Sequence, residues 1–170
     1  MKRSLLATAL LVAVSVAWAD DSPPATVPLH EHAWSYEGTT DPSHWGELDP
    51  DFFQCAAGKM QSPIDIHGAR HAQLPAIGFD YPTGPAKVRN TGHTIEIEPA
   101  DGGTLTTPTG TYHLAQFHFH TPSETRFNGR AYPLAAHFVH RDDQGHVAVV
   151  AVMFKLGKRN PQLSTLFRTL

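Results

Sequence analysis

One cysteine, Cys55, is all that the 170 residues carry. No intrachain disulfide can form, and neither a disulfide framework nor a multi-thiolate metal cluster is available. An excess of positive charge is also missing: 13 Lys and Arg stand against 16 Asp and Glu, for a net charge of −3. That balance argues against nucleic acid as a partner. Strongly apolar stretches at helical spacing are scarce, which disfavours a helical bundle. No apolar run reaches the roughly 20 residues a membrane-spanning helix needs.

What is present begins with MKRSLLATALLVAVSVAWA, residues 1 to 19. A basic start at Lys2 and Arg3, a short apolar stretch and Ala17-Trp18-Ala19 as a cleavage site read as a secretory signal peptide. No stop-transfer pattern follows, so no membrane anchor is expected after cleavage. One domain is expected over residues 20–170, delivered to the periplasm or secreted. A lone cysteine in such a compartment reads either as a buried thiol or as half of an unformed pair.

Pro and Gly are frequent, at 14 and 13 residues, and short alternating or apolar runs recur between them. The pattern predicts a mostly β domain, with strands at residues 87–90, 94–98, 111–120, 134–140 and 147–154. The closing PQLSTLFRTL reads as the opening of a helix.

The 12 histidines put metal and proton chemistry in view, and one stretch concentrates them. In QFHFHTPSE, residues 116–124, strand alternation sends His118 and His120 to one side with Gln116, and Phe117 and Phe119 to the other. Asn128-Gly129 is a hairpin signal, and mirroring the chain about it sets position 120 opposite position 137, a third histidine. Pro122 and Pro133 loosen that ladder near the turn, so the shared face is the firmer expectation. Three imidazoles on one rigid face form a zinc site with a fourth position open, the catalytic rather than structural arrangement. Gln116 can take the spare N–H of a ligand histidine. His140 has the opposite parity and reads as structural.

The same stretch, HxH followed by three residues and then Glu124, is also similar to the first motif of the cupin barrels, where Glu124 would bind metal directly. The second cupin motif has no match in HFVHR, residues 137–141.

Taken together, WSYEG, the HW of His44 and Trp45, CAAGKMQSPIDI, NTGHTIEIE, YHLAQFHFHTPSE, AAHFVH and GHVAVVAVMFKLG resemble the α-class carbonic anhydrases of the bacterial secreted type, from about Trp34 to Gly157. The resemblance implies a central twisted, mainly antiparallel sheet with short peripheral helices. It implies zinc on His118, His120 and His137, and reversible hydration of carbon dioxide to bicarbonate and a proton by hydroxide formed at the zinc. It further implies His93 as proton shuttle, Tyr36 and Thr91 as residues ordering water beside it, Glu124 as the carboxylate orienting a threonine, and Val139 and Val149 as the wall where carbon dioxide rests.

Two departures accompany the likeness. Ala135 stands where the family usually has a glutamate bonded to the third ligand. The family's C-terminal portion, with its threonine and the partner that Cys55 has in bacterial members, has no counterpart here, which implies an N-terminal part of the full domain. A noncatalytic zinc-binding relative is therefore the alternative to an enzyme, and the cupin-type metal oxygenase a further one.

Overall fold

The structure is a computed structural model and describes residues 34–168; the candidate signal peptide and the residues after it up to position 33 lie outside. The strands, in chain order, are β1 (Asp65–Ile66), β2 (Gly78–Asp80), β3 (Ala86–Asn90), β4 (Ile95–Pro99), β5 (Thr104–Thr107), β6 (Gly110–His120), β7 (Arg126–Phe127), β8 (Arg130–Ala131), β9 (Leu134–Arg141) and β10 (Val147–Phe154). The helices are short: α1 (Trp45–Leu48), α2 (Phe53–Ala57) and α3 (Pro161–Leu166). This is the mostly β domain that the residue pattern predicts, built as the mainly antiparallel sheet with short helices that the resemblance implies.

The described residues fall into two units, 70–123 with 132–168, and 34–69 with 124–131. The first holds the main sheet, in the order β10-β9-β6-β4-β3, with β2 and β5 joined to it through β6. β6 is its longest strand because one uninterrupted run, GTYHLAQFHFH, carries no Pro and only a terminal Gly. Its first half pairs with β5 and its second half with β4, while β9 lies along its other edge.

Period-two alternation then sorts the side chains. One face collects Val88, Ile95, Ile97, Phe117, Phe119, Leu134, Ala136, Phe138 and Phe154 into the apolar core, closed by Leu163 and Leu166 of α3. Asn160 caps that helix, its Oδ1 accepting from the Leu163 N–H at 3.1 Å, and Pro161 opens it. The predicted helix thus forms, and its apolar side supplies the lid of the core. The opposite face of the sheet carries His118, His120 and His137.

The register differs from the expected one. His118, not His120, lies directly opposite His137, and His120 faces Ala135. The Asn128-Gly129 turn does form a hairpin, pairing Arg126 with Ala131 and Phe127 with Arg130. Between that hairpin and the long strands, however, one side has more residues than the other, which slides the β6–β9 ladder by two. A slip of two keeps every side chain on its face, whereas a slip of one would reverse them all. A bulge lies between Leu114 and Gln116, so Leu114 shares a face with His140 while Gln116 joins the histidines.

Gly103 has φ +67°, and a Cβ there would meet the Asp80 carbonyl oxygen at 2.0 Å. Only glycine permits β5 to start against the end of β2 in this way. In the second unit β1 pairs parallel with β7 and β7 antiparallel with β8. Cys55 sits in α2 and is exposed, so it is not the packed thiol that one expectation allowed.

Candidate metal centre

His118 and His120 project from β6, and His137 from the neighbouring β9. Their ring centroids are separated by 4.9 Å (118–120), 5.6 Å (118–137) and 4.6 Å (120–137). One nitrogen from each ring lies within 4.8 Å of the other two, close enough for a single metal ion, and the group contains no carboxylate. His137 is buried, its residue only 5% exposed. The Nε2 atoms of His120 and His137 are shielded from solvent.

His118 Nδ1 lies 2.8 Å from Gln116 Oε1. An amide oxygen only accepts, so Nδ1 carries the proton and Nε2 keeps the lone pair that a metal needs. The donor set therefore fits zinc: three imidazoles, one of them held by Gln116 in the ligating tautomer, on adjacent rigid strands.

The rest of the histidine face is mixed. Val149 of β10 stands directly opposite Val139 of β9; Val139 is half-buried and Val149 is 52% exposed. Ala135 is fully buried. On the other flank Glu96 is the cross-strand partner of His118. Its charge is not bare: Arg89 Nη2 donates to Glu96 Oε1 at 2.6 Å and also reaches Glu98. These bonds, that to Glu96 foremost, hold the Arg89 guanidinium protonated beyond its ordinary range.

His93 and Thr91 occupy the β3–β4 turn, and both are exposed. The Thr91 hydroxyl is engaged within that turn, donating to the Thr94 carbonyl at 3.2 Å and accepting from the Thr94 N–H at 3.2 Å. His140, on the core face, is fully buried; its Nε2 meets the Tyr81 hydroxyl at 2.8 Å and its Nδ1 the Ala148 carbonyl at 3.2 Å. Burial lowers its pKa, with the backbone bonds opposing that shift. Its structural assignment from strand parity is thus what the contacts show.

Tyr36 and Glu124 belong to the other unit, where they meet each other. The Tyr36 phenol donates to Glu124 Oε1 at 2.8 Å. Partial burial, then the carboxylate, push the phenol pKa up. Tyr36 also lies edge-on to Trp34 and Trp45, at centroid distances of 5.5 and 5.7 Å.

Sequence reasoning missed Arg89 and Tyr81. Counting the four-residue turn from Asn90 to Ile95 would have placed Arg89 opposite Glu96, as the register has it. Tyr81 left no comparable signal, because it follows a strand of three residues.

Fold and site together define a β-sheet protein with a cluster of three histidines able to hold a metal ion. The sequence profile of the eukaryotic-type carbonic anhydrases matches residues 40–170. The chain is 46% identical to a carbonic anhydrase of Pectobacterium carotovorum over 132 residues, covering 78% of this chain and 54% of that one. It is 43% identical to a carbonic anhydrase of Neisseria gonorrhoeae over 142 residues, covering 83% and 56%. The α-carbonic anhydrase of Thermovibrio ammonificans, solved with the inhibitor sulfanilamide, superposes with a TM-score of 0.75 at 44% identity, over 81% of this chain and 62% of that one. The chain belongs to the eukaryotic-type, or α, carbonic anhydrase family. It spans about half the length of the curated relatives it matches.

Proposed function

We propose that the protein catalyses zinc-dependent reversible hydration of carbon dioxide. The observation that carries this is the convergence of His118, His120 and His137 within 4.8 Å on one face of the sheet, in a chain of this family. His118, His120 and His137 would hold the ion through ring nitrogens, with Gln116 fixing the tautomer of His118. Zinc, when bound, supplies Lewis acidity that lowers the pKa of water to about 7.

The chain's own residues divide the remaining tasks. Val139 and Val149 form an apolar strip beside the histidines, suited to a small uncharged gas and unable to bind it by hydrogen bonds. His93 is exposed in the turn between β3 and β4, where solvent can reach its ring, and it is read as the group that passes the proton to water. Thr91 orders the turn that carries it. Tyr36, with Thr91, is read as ordering water, and Glu124 as the carboxylate that orients a threonine hydroxyl; the Tyr36 phenol donates to that carboxylate. Residues 1–19 support delivery to the periplasm or outside the cell.

Stopped-flow hydration with a pH indicator tests the proposal on the zinc-loaded chain. Proton release above the uncatalysed rate, blocked by a sulfonamide and lost in His137→Ala, is the expected result. Stoichiometric zinc binding without any such release would support the noncatalytic reading instead.

A further inference from the structure

β4 begins at Ile95, and its recorded pairing with β6 comprises Glu96 with His118 and Ile97 with Phe117. One rung further along, the peptide of Phe119 is met by a side chain. The Thr94 hydroxyl donates to the Phe119 carbonyl at 2.6 Å and accepts from the Phe119 N–H at 3.1 Å. Its other acceptor, the Ile95 carbonyl, is more distant at 3.3 Å. A hydroxyl has one proton and two lone pairs, so it can imitate the donor and acceptor of a strand residue. Phe119 is 8% exposed, and its peptide groups would otherwise need partners in a largely dry environment.

Phe119 is the residue between His118 and His120. Its φ and ψ set the angle between the two ring-bearing Cα–Cβ bonds, and its side chain is rooted in the core. Gln116 orients one ring from the histidine face; Thr94 fixes the backbone from the strand edge. Thr94 also closes the turn bearing His93, its N–H and carbonyl both bonded to Thr91.

We propose that Thr94 is a positioning residue for the metal centre: by supplying the missing rung at Phe119 it presets the spacing of His118 and His120. This rests on the assignment of the three histidines as metal ligands.

Zinc competition titration against a chromophoric chelator tests it on the full chain, with Thr94→Val, Thr94→Ser and, as a matched control, Thr106→Val at an exposed position of β5. The Val variant is expected to bind zinc about tenfold more weakly, while Ser and the control stay within about twofold of the parent. A Thr94→Val chain that binds as tightly as a parent whose binding is abolished by His120→Ala overturns the role of Thr94 and leaves the metal centre standing. Parent binding that is absent, or indifferent to His120→Ala, overturns the metal centre and with it this proposal. Amide exchange on the parent decides the matter independently of any variant's folding. Zinc should slow exchange at the Phe119 N–H by about tenfold or more, as ordering both rings orders that rung, and an unchanged rate contradicts the proposal.

Discussion

Gln116 Oε1 accepts a hydrogen bond from the Nδ1–H of His118 within a single strand, at 2.8 Å. Two residues on one strand face are ordinarily too far apart for short side chains to meet, but an amide and an imidazole span the gap. The bond selects the ring nitrogen that faces His120 and His137. Gln116→Leu keeps the approximate volume and removes the acceptor. Zinc affinity should fall by about 10 to 100-fold in a competition titration, while Gln116→Glu should retain most of it. Equal affinities for the parent and the Leu variant would remove Gln116 from the metal centre.

Ala135 shares the face of His137, two residues along β9, and lies directly opposite His120. It is fully buried, on the face that carries the three rings. Ala135→Glu places an acceptor beside ligand N–H groups and should tighten zinc binding by about tenfold or more. The same change should destabilise the metal-free chain, because a buried carboxylate without a cation loses its hydration. Unchanged zinc affinity in the titration contradicts the first expectation, and an unchanged urea midpoint of the metal-free form contradicts the second.

The Tyr81–His140 contact gives the pH dependence a sign. Burial lowers the folded-state pKa of His140 below its ordinary value of about 6.5. The unfolded chain therefore binds the proton first as pH falls. The stability due to the neutral imidazole is fully present above about 6.5 and declines below it, towards the lowered folded pKa, by at most about 1.4 kcal/mol per pH unit. Urea unfolding at a series of pH values should show this decline, and His140→Gln should flatten it. A slope that is the same in parent and variant places the titrating group elsewhere.

Much of this was legible in residue order, for reasons that lie in period-two geometry. QFHFH declares its two faces, and HFVH sets His137 and His140 on opposite sides of β9 whatever the exact register. The two-residue slip escaped prediction because it depends on unequal segments flanking the Asn128-Gly129 hairpin, and no local preference counts those. The bulge at Ala115 left no glycine to announce it. β2 and β5 are too short for alternation to emerge, and β1, β7 and β8 have two residues each. The Thr94 rung and the Tyr36–Glu124 bond join residues 25 and 88 apart in sequence, which only tertiary placement reveals.

The most direct measurement is zinc titration of the chain at neutral pH with a competing chelator, repeated on His118→Ala, His120→Ala and His137→Ala. The structure predicts one tight zinc per chain and its loss in each of the three variants, with His140→Gln retaining it. Binding that survives all three substitutions, or that vanishes only with His140, would show that the ion is held elsewhere.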